Sequence, residues 1–411
     1  MYPLYIDPGT GSMLFTLFIG IATAVVFGAR SLFIKLKFIF AKDKTNAIEK
    51  NKIQYVIFSD HKRYWNVFKP IVEEFENRKV PITYYTASSD DPALSNNYKY
   101  VNCVFIGEGN KAIAKMNFLN AKICISTTPG LDVLQWKRSK EVDYYVHIPH
   151  SIDDVPATYK MFGLDHYDSV LTTGTHQEKV IRKLEKIRNQ NPKEVFCVGC
   201  TYLDEMLKRK SNLAENTLEG KTVLLAPTWG QNGLLTKYGT KLIDALLVTD
   251  YNIVVRPHPQ SLTAEKDLLN ELQNHYSENS RVNWNFDNDN FEILSKSDIM
   301  ISDFSGVIYD YTLIFDKPVF YANATFNTSQ YDADWLDEEV WTMRVLPKIG
   351  AKLKEEDFSN LQSIFDKALT SEKLKSGRDE VKTEAWYNIG ESAKLICDYL
   401  IEKEKNVIKK T

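Results

Sequence analysis

The chain has 411 residues, of which 44% are hydrophobic and 26% charged, with a formal net charge of −3. That is enough apolar material for two domains of roughly 150 to 200 residues with an extension left over, and it excludes wholesale disorder. The near-neutral balance supplies no global basic field, so nucleic acid is not expected as a partner. Five cysteines, an odd number spread along the chain, do not form a secreted disulfide framework and fit a reducing compartment. Cys197 and Cys200 make a C-x-x-C, but no second pair and no nearby histidines complete a metal set, so they read as structural.

No charge occurs between Asp7 and Arg30, and residues 13–29 are almost continuously apolar, with Arg30, Lys35, Lys37, Lys42 and Lys44 following. This pattern predicts a membrane anchor with a basic juxtamembrane segment over residues 1–45, and the bulk of the chain on the cytoplasmic face. A re-entrant segment broken at Pro8-Gly9 is the alternative.

From residue 52 short apolar runs alternate with helical patterns. Strands are expected at 53–59, 82–86, 103–107, 123–126, 144–148, 169–173 and 195–198, with helices at 65–78, 109–119 and 177–189 among them. The polar stretch 208–221 reads as a boundary. A second set follows, with strands at 222–226, 253–256, near 282, 299–301 and 318–321, and helices at 242–249, 264–276, 291–295 and 307–314. The fold class is therefore α/β, with two facing Rossmann-like domains at 46–215 and 216–378 and a C-terminal helical segment at 379–411 whose last helix spans 379–401. The site is expected in the cleft between them.

Four loops at strand exits carry the candidate chemistry. Residues 297–311 read as a strand, a turn of small polar residues (Ser302, Asp303, Ser305, Gly306) and a helix, which points backbone N–H groups and the positive end of a helix dipole at one spot suited to a phosphate. Asp310 lies one helical turn on, placed to meet a ligand hydroxyl or orient the loop. In Ala226-Pro227-Thr228-Trp229-Gly230, Thr228 and backbone amides suit a phosphate and Trp229 suits a cleft wall. In Arg256-Pro257-His258-Pro259 two prolines hold a cation and an imidazole in a loop rather than along an element. In His147-Ile148-Pro149-His150-Ser151, position favours His150 with Ser151 beside it, and His147 remains the alternative. Dinucleotide, Walker and serine-hydrolase signatures are absent, which leaves transfer from a nucleotide-activated donor.

In order and spacing, Leu225-Ala226-Pro227-Thr228-Trp229, Val255-Arg256-Pro257-His258-Pro259, the run 297–306 with Asp310, and Lys317-Pro318 resemble the CDP-glycerol glycerophosphotransferases of teichoic-acid and surface-polymer synthesis, a GT-B-type family. The resemblance runs back through His150-Ser151, 162–168 and 198–204, and covers roughly 144–321. Many polymerising members carry His-Gly-Thr-Pro where this chain has His-Ile-Pro-His-Ser. The resemblance implies a CDP-glycerol or related CDP-alditol donor, a lipid-linked or glycan acceptor at the membrane, no cofactor and no metal. It implies His150 as general base, His258 and Arg256 on the phosphates, and Ser302, Asp303, Ser305 and Gly306 as the donor loop. A nucleotide-sugar glycosyltransferase and a membrane-tethered scaffold with a degenerate cleft are the competing readings.

Overall fold

The computed structural model describes residues 52–213, 220–287, 289–303, 305–322 and 328–408. The anchor expected over residues 1–45 lies outside them, and among the described residues no helix is long and apolar enough to cross a membrane.

Two wholly parallel sheets organise the chain. The first contains β1 (Ile53–Ser59), β2 (Ile82–Thr86), β3 (Val101–Phe105), β4 (Ala121–Ser126), β5 (Val142–His147), β6 (Ser169–Thr172) and β7 (Glu194–Cys197), in the order β3-β2-β1-β4-β5-β6-β7. The second contains β8 (Thr222–Leu225), β9 (Asn252–Val255), β10 (Val282–Trp284), β11 (Ile299–Ser302), β12 (Val319–Ala322) and β13 (Gly350–Leu353), in the order β10-β9-β8-β11-β12-β13. Register is tight across each centre: Ile57 lies opposite Ile125 in β4, and Ile301 opposite Leu225 in β8. Strands covered on both faces must be apolar throughout, which is why β8 and β11 are buried at every position.

In each sheet the strand order reverses beside the first strand, between β1 and β4 and between β8 and β11. Loops at the carboxyl ends of those strands diverge there and leave a crevice. The loops after β1, β5, β8, β9 and β11 are thereby brought into one neighbourhood.

Helices pack the layers by ordinary amphipathic spacing. Helix α1 (Trp65–Asn77) buries Trp65, Phe68, Ile71, Val72 and Phe75 against the first sheet. Helix α2 (Thr201–Ser211) follows β7 and extends into the stretch 208–221 expected as a boundary. Its charged run Lys208, Arg209, Lys210 sits in the last turn, where it suits the helix dipole. Helix α3 (Val307–Phe315) follows β11 and is buried along nearly its whole length.

The C-terminal helix departs from expectation. Instead of one helix over 379–401 there are α4 (Glu372–Ala385) and α5 (Ser392–Ile408), separated by a break in which Asn388 and Gly390 have positive φ. The Asp204 carboxylate fixes the break by accepting from Gly390 N at 2.9 Å, Ser392 N at 3.2 Å and Trp386 Nε1 at 3.2 Å. Helix α5 then returns to the first sheet, burying Ile396, Cys397 and Leu400 beside Phe68, Ile71 and Phe75. Gly199 permits the crossing, since a Cβ there would stand 2.4 Å from Tyr387 O.

The two layers also meet directly. Thr342 N donates to Asp154 Oδ2 at 2.7 Å, and His176 stacks on Trp341 at 4.1 Å. Arg188 bridges Asp165 and Asp332, while Phe162 N donates to Asp332 at 2.8 Å.

Candidate active site

A cleft of about 290 Å³ opens where the loops converge. From the first domain it takes Arg63 and Tyr64 after β1, His150 and Ser151 after β5, and Tyr202 from α2. From the second it takes Arg256 and His258 after β9, Asn290, and Ser305, Gly306 and Asp310 at the start of α3. Of the candidates named from sequence, His150, Ser151, Arg256, His258, Ser305, Gly306 and Asp310 thus share one cavity. A larger hollow of about 430 Å³ lies over β9 and β10, lined by Asn252, Asn283, Asn285 and Lys296, and contains none of them.

His150 stands at the first-domain wall. Its ring meets Tyr64 edge-on at 5.4 Å, and its Nδ1 is enclosed without a partner, so Nε2 is the nitrogen offered to the cleft. Burial, with the positive charge of Arg63 second, lowers its pKa to about 4, and the imidazole is neutral at pH 7. His147 takes a different position. It is buried at the end of β5, with Nε2 3.3 Å from the Tyr159 hydroxyl, which donates to Asp153 Oδ2 at 2.8 Å. Gln177 Nε2 holds the other Asp153 oxygen at 2.7 Å. His147 therefore lies in a packed hydrogen-bonded web behind His150 and does not line the cleft.

On the opposite wall, His258 Nδ1 accepts from Gln260 N at 3.1 Å, which assigns the neutral ring's proton to Nε2. Its pKa is lowered by burial and then by Arg63. Arg256 lines the same wall, but its guanidinium is engaged by Asn285 Oδ1 and by Asp287 O, the latter at 2.8 Å. Those contacts tie the β9 and β10 exits together.

The turn after β11 divides its labour. Ser302 is fully buried, and its hydroxyl donates to Ala226 O at 2.5 Å. The Asp303 carboxylate, 1% exposed, accepts from Thr228 N at 2.9 Å, Thr228 Oγ1 at 2.9 Å and Leu234 N at 3.2 Å. These two side chains and Thr228 bind the loop after β8 to the loop after β11, and none of the three lines the cleft. Trp229 stands half-exposed outside it. Ser305, Gly306 and Val307, by contrast, line the cleft at the start of α3, where Ile308 N and Tyr309 N are already taken by Ser305 O and Gly306 O, each at 3.1 Å. A Cβ on Gly306 would be 4.0 Å from Ser151 Oγ, so the two domains come close at this point. Asp310 is buried, with Oδ1 unpartnered and Oδ2 3.4 Å from Asn290 Nδ2, and burial raises its carboxyl to about 7.

Arg63, Tyr64, Tyr202 and Asn290 were not anticipated. The available signal for the first two was topological: they follow the central strand of the first sheet, on one side of its switch point.

Comparison with known proteins gives a consistent frame. The model of the family described as CDP-glycerol:poly(glycerophosphate) glycerophosphotransferase matches residues 38–336. No curated protein sequence matches the chain. Among solved structures, the wall teichoic acid polymerase TagF is similar over 93% of this chain and 98% of its own, at 16% identity and a TM-score of 0.56. A TagF variant soaked with CDPG gives 17% identity, 93% and 99% coverage, and a TM-score of 0.56. The UDP-GlcNAc 2-epimerase of Methanocaldococcus jannaschii, in complex with UDP-GlcNAc and UDP, gives 12% identity, 85% and 99% coverage, and a TM-score of 0.55. At these identities the likenesses establish the fold, two parallel-sheet α/β domains of GT-B-like type.

Proposed function

Because this chain belongs to the CDP-glycerol:poly(glycerophosphate) glycerophosphotransferase family, we propose that it transfers a glycerol-phosphate-type group from a CDP-activated donor to a hydroxyl of a lipid-linked or cell-surface glycan acceptor, releasing CMP. The observation that carries this reading is the convergence of His150, His258 and the first turn of α3 on one cleft.

In the proposed reaction the pyrophosphate lies against the second-domain wall. The Ser305 hydroxyl, the Gly306 and Val307 amides and the His258 Nε2–H donate to its oxygens, a fixed set of dipoles worth most where water is excluded. The unpartnered Oδ1 of Asp310 accepts a donor hydroxyl. His150 Nε2 takes the proton of the acceptor hydroxyl, whose oxygen forms a bond to the β-phosphorus as the bond to the CMP phosphate oxygen breaks. A neutral imidazole is the required starting state, and the bound pyrophosphate raises its proton affinity as the transfer proceeds. The acceptor enters from the first-domain side. Its lipid-linked character accords with the apolar segment 13–29 and the basic residues after it, which we propose hold the chain at the cytoplasmic face of the membrane.

The test is turnover by the full chain given CDP-glycerol and an amphiphile ending in glycerol phosphate, with UDP-sugars as competing donors. CMP release that His150→Ala and His258→Ala each reduce by roughly 100-fold or more supports the assignment. Undiminished turnover in both variants, or use of a UDP-sugar in place of CDP-glycerol, refutes it.

A further inference from the structure

The charge balance of the cleft is incomplete without a residue outside the family motifs. A pyrophosphate diester brings about two negative charges, and both cleft histidines are held neutral by burial. Among the described residues lining the cavity, only Arg63 and Arg256 carry a permanent positive charge. Arg256 spends its guanidinium on Asn285 and the Asp287 carbonyl.

Arg63 is differently placed. It is exposed to the cleft and makes no carboxylate ion pair among the described residues. Asp60 feels its field without pairing to it. Arg63 lines the same cavity as His150 and His258, and its charge adds to burial in lowering the pKa of each. The turn that presents it is already fixed. His61 Nδ1 accepts from Arg63 N at 3.1 Å, Ser59 Oγ donates to His61 O at 3.0 Å, and Lys62 N donates to Ser88 Oγ at 3.0 Å. Its neighbour Lys62 is paired with Asp90, whereas Arg63 extends over the Tyr64 ring, with Cζ 5.2 Å from the centroid, and Tyr64 in turn abuts His150.

We propose that Arg63 is a catalytic phosphate ligand: its guanidinium, supplied by the domain opposite the donor loop, takes the non-bridging oxygens of the phosphoryl group as it passes from donor to acceptor. The planar fork of a guanidinium matches two phosphoryl oxygens, which an ammonium cannot do. The charge it neutralises grows towards the transition state, so its effect falls on turnover more than on nucleotide binding. No group moves to or from Arg63. The assignment also makes the phosphate site bipartite, complete only when both domains contribute.

This inference rests on the glycerophosphotransferase reading for its substrate, and two readouts keep the two separable. With the full chain, Arg63→Ala is expected to lower kcat for CMP release from CDP-glycerol by about 100-fold to 1000-fold. CMP affinity should stay within about twofold, because the nucleotide sits on the other domain, and Arg63→Lys should recover part of kcat. By calorimetry, inorganic pyrophosphate should bind Arg63→Ala at least about tenfold more weakly than wild type, whatever the acceptor. Wild-type protein that releases no CMP yet shows the Arg63-dependent pyrophosphate binding would sink the substrate and keep the site. Arg63→Ala with kcat within about threefold of wild type, or with pyrophosphate affinity unchanged, overturns the proposal. So does a parallel loss of CMP affinity and Tm in both variants, which would mark a purely structural role.

Discussion

Replacing Asp303 with alanine separates two roles that look identical in the sequence. In the structure the carboxylate is a pin between loops: Thr228 N, Thr228 Oγ1 and Leu234 N all donate to it. Hydrogen bonds to a charged group contribute about 1.5 to 3 kcal/mol each, and a donor left buried and unpaired costs about as much. Thr228 is partly exposed and water can serve it, whereas Leu234 N is buried, so the sum discounts to about 4 kcal/mol. Unfolding entropy near 2.1 cal/mol/K per residue over roughly 350 residues is about 0.7 kcal/mol/K, which makes the fall in Tm about 5 to 6 °C. Thr228→Val, which removes only the hydroxyl, should cost about 1 to 2 kcal/mol. The assay is differential scanning fluorimetry beside CDP-glycerol binding. Asp303→Ala with an unchanged Tm and abolished donor binding would refute the pin and make the carboxylate a ligand contact.

Two further predictions concern pH. Since burial holds His150 near 4, kcat/KM should keep its plateau well below pH 6.5 and bend on the acid side only towards pH 4 to 5, whereas an acid limb at 6.5 or above would contradict the neutral-base account. Asp310 is raised from its ordinary 3.8 to about 7, so its contribution to stability is complete below about pH 4 and is lost as pH rises through 7. Asp310→Asn lacks that loss, and its stability relative to wild type, measured by urea denaturation, should improve from pH 4 to 7; a difference constant with pH would count against burial as the cause.

Much of the architecture was legible because parallel strands buried on both faces announce themselves as short apolar runs, and β1, β8 and β11 lie within a residue of their expected places. What escaped had weak patterning. Strand β13, Gly-Ala-Lys-Leu at the sheet edge, has no β-branched residue and only two buried positions. The helix Leu234–Leu247 shows a helical pattern only from 242, because Gly239, at φ 41°, kinks its first half and breaks the periodicity. The break between α4 and α5 depends on the Asp204 carboxylate, almost two hundred residues away in sequence, which no local rule can supply.

The site shows the same division. Types and order of residues brought His150, His258, Ser305 and Gly306 to one cleft on paper, and they line one in the structure. Which polar side chain of a turn faces the cleft and which faces the next loop depends on neighbouring strands, so Ser302 and Asp303 looked like ligand contacts although their hydrogen bonds run to Ala226, Thr228 and Leu234. Arg63 was invisible for a related reason. Only the tertiary arrangement, in which β4 alone separates β1 from β5, brings the loops after β1 and β5 to one cleft.

The central claim is transfer of a phosphoalcohol, and the intact mass of the acceptor tests it most directly. After incubation of the full chain with CDP-glycerol and a glycerol-phosphate-ended amphiphile, the account predicts acceptor heavier by whole glycerol phosphate units, one CMP released per unit, and neither product with His150→Ala. CMP release with no gain in acceptor mass, or a gain that matches a sugar when a UDP-sugar is the donor, would contradict it.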